Sequence, residues 1–134
     1  PLAKVASGGE LSRIGLAIFT LTSRNTSVPT LIFDEVDSGV GGATGEVVGR
    51  MMKQLGQTRQ VLCVTHLPQV AACGDHHLKV EKVSDGIETV SYLRELNPTQ
   101  RVEEIARMLG GLLITQKTKV LAEEMVKANL SQEE

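Results

Sequence analysis

Aromatic side chains are nearly absent from this sequence. Its 134 residues include no tryptophan, one tyrosine and two phenylalanines. Because proteins bind single-stranded nucleic acid largely by stacking bases on aromatic rings, the composition argues against such a platform. An excess of positive charge is also missing, since 14 lysines and arginines stand against 16 acidic residues, for a formal net charge of −2. Any role on DNA therefore needs a local patch or another segment.

Cysteine and long apolar runs are scarce too. Two cysteines, Cys63 and Cys73, are too few for a disulfide framework and favour a reducing compartment. No apolar stretch approaches the roughly 18 residues that a membrane span needs. The opening Pro1-Leu2-Ala3-Lys4 lacks the charged and apolar regions of a secretion signal. We expect a single cytoplasmic domain over residues 1–134, with no membrane partner.

The apolar pattern predicts an α/β fold with parallel strands. Residues 30–33 and 60–64 are apolar runs typical of strands buried on both faces of a sheet, and the helical spacing between them implies a right-handed crossover. Gly56 is the expected C-terminal cap of that crossover helix. The remaining expected elements are a helix over residues 10–21, a loop over 23–29, a short helix over 68–73, a hairpin of 77–83 with 87–93, and two C-terminal helices over 99–109 and 115–129.

The stretch Ser7-Gly8-Gly9-Glu10 supports two interpretations. Ser7 followed three residues later by Glu10 is the pattern of a capping box at a helix start. A capping box does not require two glycines, however, whereas residues without a Cβ at a helix N-terminus let backbone amides approach an anion closely. The pattern therefore predicts a cap, a phosphate contact, or both in different states.

Two acids and a histidine follow the two predicted strands. Asp34 and Glu35 end the first strand, and His66 follows the second. Ligands of open α/β sheets bind at the carboxyl ends of strands, so these residues are expected along one rim. One carboxylate there can hold Mg²⁺, and the other can polarise a water for attack on a phosphoryl group. A solvated strand end and a surface histidine are the simpler interpretations.

Two further patterns are weaker. Cys63-x-x-His66 and Cys73-x-x-His76 have spacings compatible with zinc, but Cys63 lies inside a predicted buried strand, where a thiol is ordinary core filling. Four cations could form a basic patch, although a solvated charged face is the more ordinary interpretation. These cations are Lys79, Lys82, Arg94 and Arg101.

Taken in order, these motifs resemble those of ABC-type ATPases in the SMC-like branch, and in particular those of bacterial SMC-like DNA repair proteins. The resemblance covers nearly the whole chain, with extended matches over residues 7–13, 33–42, 64–72 and 101–111. Residues 7–10 resemble the signature motif, residues 31–35 the Walker B motif, Val36-Asp37-Ser38-Gly39 the D-loop, and His66 the switch histidine.

The resemblance implies a role for each residue. Asp34 would hold Mg²⁺, and Glu35 would be the general base or would position the water. His66 would sense the γ-phosphate of ATP. The signature residues would bind ATP held by a second head, in trans, and the D-loop residue Asp37, with Ser38 and Gly39, would couple the two sites across a homodimer. The signature residues are Ser7, Gly8, Gly9 and Glu10.

One motif of that family is missing. No Gly-x-x-x-x-Gly-Lys-Ser/Thr occurs in the 134 residues, so the Walker A loop and its lysine are absent. The resemblance then implies that this chain is one part of a P-loop NTPase, namely the C-terminal lobe of an ABC-type head. Its partner would be the N-terminal half of the same head. The lobe alone is expected to be inactive and to expose apolar surface that invites self-association.

The complete protein would be a nucleoid-associated bacterial ATPase of DNA double-strand-break repair and recombination. Alternatives are the head of another SMC-like protein and a non-catalytic interaction module.

Overall fold

The computed structural model describes residues 7–22 and 27–130, apart from the side chains of Phe19 and Thr22. Expectations for residues 1–6, for 23–26 of the first loop and for 131–134 lie outside this part of the chain. The described elements, in order, are α1 (Gly8–Thr22), β1 (Thr30–Phe33), α2 (Gly42–Gly56), β2 (Gln60–Cys63), α3 (Pro68–Ala71), β3 (Leu78–Ser84), β4 (Thr89–Glu95), α4 (Pro98–Gly110) and α5 (Gln116–Leu130). The predicted α/β architecture is confirmed.

The two short strands β1 and β2 pair in parallel, with Thr30 opposite Gln60 and Phe33 opposite Cys63. One face of this pair is covered, because Leu31 and Phe33 are buried in a core shared with α1, α2 and α3. The members of that core are Leu16, Leu31, Phe33, Val36, Val48, Met52, Leu55 and Val70. The crossover helix α2 therefore buries its apolar stripe against the covered face.

The other face of the strand pair is open, so the prediction of burial on both faces is wrong. Ile32 is 70% exposed and Val64 is 63% exposed, because side chains alternate along a strand and no described helix packs on their side. Helix α1 also carries exposed apolar side chains: Leu11, Ile14, Ile18 and Leu21. The expectation of exposed apolar surface is thus confirmed. No helix within residues 7–22 and 27–130 is long and apolar enough to cross a membrane.

Helix α2 lies unusually close to α3. A methyl group at Gly49 would come within 2.7 Å of the Cys73 Sγ atom, and one at Gly45 within 2.9 Å of a Leu67 methyl. The small residues therefore let α2 pack directly on the segment that follows β2. The helix ends one residue later than expected, since Gln57 rather than Gly56 caps it and keeps a right-handed helical conformation.

The hairpin and the two C-terminal helices follow α3, and a second core joins α4 and α5 to the end of α3. Strands β3 and β4 pair antiparallel around a turn in which Asp85 accepts hydrogen bonds from two backbone amides. Helix α4 begins with a capping box between Asn97 and Gln100. The buried Arg101 guanidinium then donates to the carbonyl oxygens of Ala72 and Gly74, so α4 is fastened to the end of α3.

Candidate functional site

The first turn of α1 is closed by the predicted capping box, which is confirmed. The Ser7 amide donates to the Glu10 carboxylate at 2.8 Å, and the Glu10 amide donates to the Ser7 hydroxyl at 3.3 Å. These hydrogen bonds lower the pKa of Glu10, because they stabilise its charged form. The first intrahelical bond joins the Leu11 amide to the Ser7 carbonyl, so the amides of Gly8 and Gly9 precede the helical ladder.

The glycine pair brings α1 against the loop that follows β1. A Cβ atom on Gly9 would lie 2.9 Å from the Glu35 carbonyl oxygen and 2.9 Å from the Ser38 Cβ atom, distances that real side chains do not adopt. A Cβ atom on Gly8 would lie 3.0 Å from the Glu35 carboxylate. Gly9 is buried and Gly8 is exposed. Close packing within the chain therefore explains Gly9, and Gly8 remains accessible to a ligand.

Two more residues of α1 hold the same loop through its backbone. The Ser12 hydroxyl donates to the Asp34 carbonyl oxygen at 2.9 Å. The Arg13 guanidinium donates to the carbonyl oxygens of Val36 and Ser38 at 3.2 and 2.8 Å. Sequence reasoning assigned no role to Ser12 or Arg13, since a serine and an arginine on a helix give no signal for partners more than 20 residues away.

Asp34 and Glu35 stand at the carboxyl end of β1, where they were expected, and both are exposed. Glu35 has a φ of 56°, a left-handed conformation that few residues other than glycine adopt. The chain reverses here, because the Ser38 amide donates to the Glu35 carbonyl oxygen. Gly39 supplies a second positive φ, 70°, in the same turn. A strained glutamate at a strand end is a feature often found at functional sites.

Asp37 does not lie at the surface, although it belongs to the predicted D-loop. Its side chain is 2% exposed, and its Oδ2 atom accepts hydrogen bonds from the Thr65 hydroxyl, the His66 amide at 3.0 Å and the Leu67 amide at 3.2 Å. The His66 ring is exposed, with its Nδ1 atom 3.3 Å from the same oxygen. Asp37 therefore joins the end of β1 to the end of β2 within one chain.

The structure thus gathers the expected residues at one edge of the strand pair. Gly8 adjoins Glu35, the Ser12 hydroxyl reaches the backbone of Asp34, and Asp37 meets His66. The helix start, the acids after β1 and the histidine after β2 follow one another along the chain. They lie along one rim because β1 and β2 are parallel, so both strands end at the same edge. Exposed carboxylates, an exposed imidazole and a helix N-terminus are groups that handle phosphate and a divalent cation.

The zinc alternative finds no support. No cluster of three or more His, Cys, Asp or Glu side chains that could hold a metal occurs among the described residues. Cys73 is buried against Gly49, and its pKa is raised by burial. Burial, with smaller effects of Asp37 and Asp34, raises the pKa of Cys63 to about 12. Both thiols are protonated core groups at neutral pH, whereas zinc binds thiolates.

Three of the four cations of the possible basic patch are paired with acids or buried. Lys79 pairs with Glu104 at 2.8 Å, Arg94 pairs with Glu81 at 2.9 Å, and Arg101 is buried against backbone carbonyls. A neighbouring acid reduces the attraction of a cation for phosphate. The structure therefore supports a solvated charged surface and not a basic patch.

A methyl group at Gly9 tests the close packing of α1. Gly9→Ala is expected to lower the free energy of unfolding by about 1–3 kcal/mol, because rigid backbone atoms must move to admit it. The matched control is Gly15→Ala on the same helix, where nothing lies within 4 Å and alanine is expected to add about 0.5–1 kcal/mol. Urea unfolding followed by circular dichroism measures both. Equal effects of the two substitutions would show that α1 does not touch the loop.

Acid is expected to destabilise the fold through two buried carboxylates. Burial raises the pKa of Asp37, but hydrogen bonds from Thr65, His66 and Leu67 outweigh it, and the net pKa lies below the ordinary 3.8. Glu104 behaves likewise, with Arg107 and Lys79 holding its pKa below 4.5. Because the unfolded chain binds these protons at higher pH, their stabilisation is complete above those ordinary values and is lost as the pH falls through the lower folded values.

Urea unfolding as a function of pH measures this dependence. The free energy of unfolding is expected to fall below about pH 4. The decline should be shallower in Asp37→Asn, since one of the two linked groups is gone. An unchanged acid slope in that variant would mean that Asp37 is not stabilised as a carboxylate.

Comparison with known proteins first identifies the fold. A solved structure described as "Structural biochemistry of ATP-driven dimerization and DNA stimulated activation of SMC ATPases" is similar to this chain, with a TM-score of 0.59 and 22% identity over 79% of this chain and 63% of that one. At this identity the likeness concerns the fold alone. The chain therefore has the α/β fold of SMC-type ATPase heads. No protein-family model matches it.

The sequence relatives of this chain include several proteins named DNA repair protein RecN. The chain is 52% identical over 128 residues to the DNA repair protein RecN of Vibrio cholerae and 53% identical over 126 residues to that of Haemophilus influenzae, which cover 96% and 94% of this chain. RecN of Halalkalibacterium halodurans is 46% identical over 126 residues. The chain matches the C-terminal part of RecN. It spans only 22–23% of the length of these relatives.

Proposed function

We propose that this chain is the C-terminal lobe of the ATPase head of a RecN-type protein, which couples ATP hydrolysis to repair of DNA double-strand breaks by recombination. The observation that carries the proposal is the single rim formed by the start of α1, the acids after β1 and His66 after β2. The identity of about one half to proteins named for DNA repair supports it. The same identity favours RecN over other SMC-like proteins and over a non-catalytic module.

Within this proposal, Glu35 activates the water that attacks the γ-phosphate. Its carboxylate is exposed and lies at the end of a strand, so it can reach a water outside the sheet. His66 is the neighbouring group that contacts the γ-phosphate, since its ring is exposed and its backbone is held in place by Asp37. Both residues act on a phosphoryl group that another segment must hold, because the Walker A sequence is absent.

Asp34 is the proposed magnesium ligand. The donor set fits Mg²⁺, which prefers hard oxygen ligands and commonly takes one or two carboxylates while keeping several waters. The Asp34 side chain is exposed, and its backbone is fixed by Ser12, so the carboxylate is available without rearrangement of the loop. The ion would neutralise charge on the phosphate oxygens. Asp34 would bind it directly or through water.

The start of α1 is proposed to bind the γ-phosphate of ATP that a second head holds. The amides of Gly8 and Gly9 lie at a helix N-terminus, which favours anions. The Glu35 carboxylate of the same chain lies beside Gly8, so its negative charge opposes a phosphate in that position. Because the Glu35 side chain is exposed, it can turn away when two heads engage ATP. The D-loop residues 37–39 lie next to this position and would couple the two sites of the homodimer.

The open face of the strand pair is proposed to receive the N-terminal half of the same head. Exposed Ile32 and Val64 need a covering layer, and an adjoining lobe that carries the Walker A loop would supply one. DNA contacts, and a cytoplasmic location at the nucleoid, are proposed for the complete protein from the function that its relatives' names state.

Mixing experiments test this assignment. The chain alone is expected to bind ATP weakly in calorimetry and to turn it over negligibly. Addition of the N-terminal half of a RecN, with its Walker A loop, should restore ATP turnover. The same half with its Walker A lysine replaced by alanine is the control and should restore none. Tight ATP binding by the 134-residue chain alone, or no turnover by the intact pair, contradicts the proposal.

A further inference from the structure

Three hydrogen-bond donors converge on one carboxylate oxygen at the candidate site, and an imidazole nitrogen lies close to the same oxygen. Asp37 Oδ2 accepts from the Thr65 hydroxyl and from the amides of His66 and Leu67, and the His66 Nδ1 atom lies 3.3 Å away. The donors are 28 to 30 residues distant along the chain. A buried charged group needs such partners, and a fully satisfied one fixes the backbone that supplies them.

The contact with Nδ1 fixes which side of the imidazole is presented outward. The Asp37 side chain is 2% exposed, whereas that of His66 is 72% exposed. Because Nδ1 faces a buried carboxylate, the opposite ring nitrogen, Nε2, faces away from it. A carboxylate with no proton of its own can only accept, so the neutral ring must carry its proton on Nδ1 to make this contact favourable. Nε2 is then left as an acceptor.

We propose that Asp37 is a positioning residue for His66, which holds the 65–67 turn in place and keeps the neutral ring in the Nδ1–H tautomer with Nε2 free to accept a hydrogen bond. A buried carboxylate that orients a histidine in this way also stabilises the imidazolium that forms when Nε2 takes a proton. The source of this proton, a water or a phosphate, depends on the function proposed above. The tautomer itself rests only on the contacts of Asp37.

The pair of variants Asp37→Asn and Asp37→Ala separates the tautomer from the fold. In Asp37→Asn, the Oδ1 atom can take the place of the Asp37 Oδ2 atom, so it still accepts from the His66 and Leu67 amides and still faces Nδ1, and the parent ratio is expected to be retained. In Asp37→Ala no acceptor faces Nδ1, and the expected result is a shift from mainly Nδ1–H in the parent chain to mainly Nε2–H in the variant.

The measurement is ¹⁵N NMR of the imidazole nitrogens in the 134-residue chain, without nucleotide, at a pH where the ring is neutral. Asp85→Ala is the matched control. Asp85 also accepts two backbone amides but lies in the hairpin turn, so this substitution should leave the His66 ratio unchanged. A chain in which His66 is already mainly Nε2–H contradicts the proposal, even if Asp37→Ala fails to fold. So does an Asp37→Ala variant that folds and keeps the parent ratio.

These results are distinguishable from a failure of the proposed function. If the mixed halves of the head show no ATP turnover, the ATPase assignment fails, but the tautomer still decides the role of Asp37. If turnover is present and the tautomer is Nε2–H, the ATPase assignment stands and Asp37 is only a structural residue of the turn.

Discussion

Glu35→Gln is expected to reduce ATP turnover by about 10²–10⁴-fold in a full-length RecN that carries this segment, and to leave ATP binding intact. The amide of glutamine has nearly the shape of the carboxylate but cannot accept a proton from the attacking water. Because the substitution keeps a side chain at the same positive φ, the backbone strain is unchanged, and the fold is expected to retain its stability.

Trapped dimers are the second expected consequence of Glu35→Gln. If ATP joins two heads and hydrolysis separates them, a variant that binds but does not hydrolyse ATP must accumulate engaged heads. Single-turnover hydrolysis and sedimentation with ATP measure the two effects together. Glu46→Gln is the control, since Glu46 lies on the surface of α2, where its carboxylate forms an ion pair with Arg50. Normal hydrolysis in Glu35→Gln would remove Glu35 from the mechanism.

Ser7→Arg is expected to abolish ATP-dependent dimerisation of that full-length protein while leaving each monomer able to bind ATP. A long cation at the start of α1 fills the space where a γ-phosphate from the second head would enter. The substitution also removes the capping box, which costs about 1 kcal/mol. Ser7→Asn is therefore the matched control, because asparagine caps helices well and remains short.

The readout for Ser7→Arg is the ATP-dependent shift in sedimentation, with nucleotide binding to the monomer measured by calorimetry. If Ser7→Asn still dimerises and Ser7→Arg does not, the loss of dimerisation is caused by the size of the arginine side chain and not by the loss of the helix cap. Unchanged dimerisation of Ser7→Arg would refute the role of this helix start in trans.

Local patterns were enough to predict the elements and the shared rim. Apolar runs predict β1 and β2 within a residue, and the helical spacing predicts the crossover helix α2 and its end within a residue of Gly56. Parallel strands then bring their carboxyl ends to the same edge of the sheet. The Ser7 and Glu10 capping box involves residues three apart, so it was also readable. Both features depend on neighbours in sequence.

Features that depend on distant packing were not predictable. Ile32 belongs to a uniformly apolar strand, and only the tertiary arrangement leaves its face open. Asp37 precedes Ser-Gly, the pattern of a surface turn, yet donors from the 65–67 segment make its burial favourable. The glycine pair was interpreted from cap and phosphate chemistry, whereas the tight approach of Gly9 to Ser38 requires the folded loop.

The amides of Gly8 and Gly9 offer the most direct test of the account. Their ¹H–¹⁵N resonances can be followed in the labelled 134-residue chain as an N-terminal RecN half and ATP are added, with ADP as the matched nucleotide that lacks a γ-phosphate. Large shifts of both resonances that appear with ATP and not with ADP are expected. Resonances that stay in place while the mixture binds and hydrolyses ATP would contradict a phosphate contact at the start of α1.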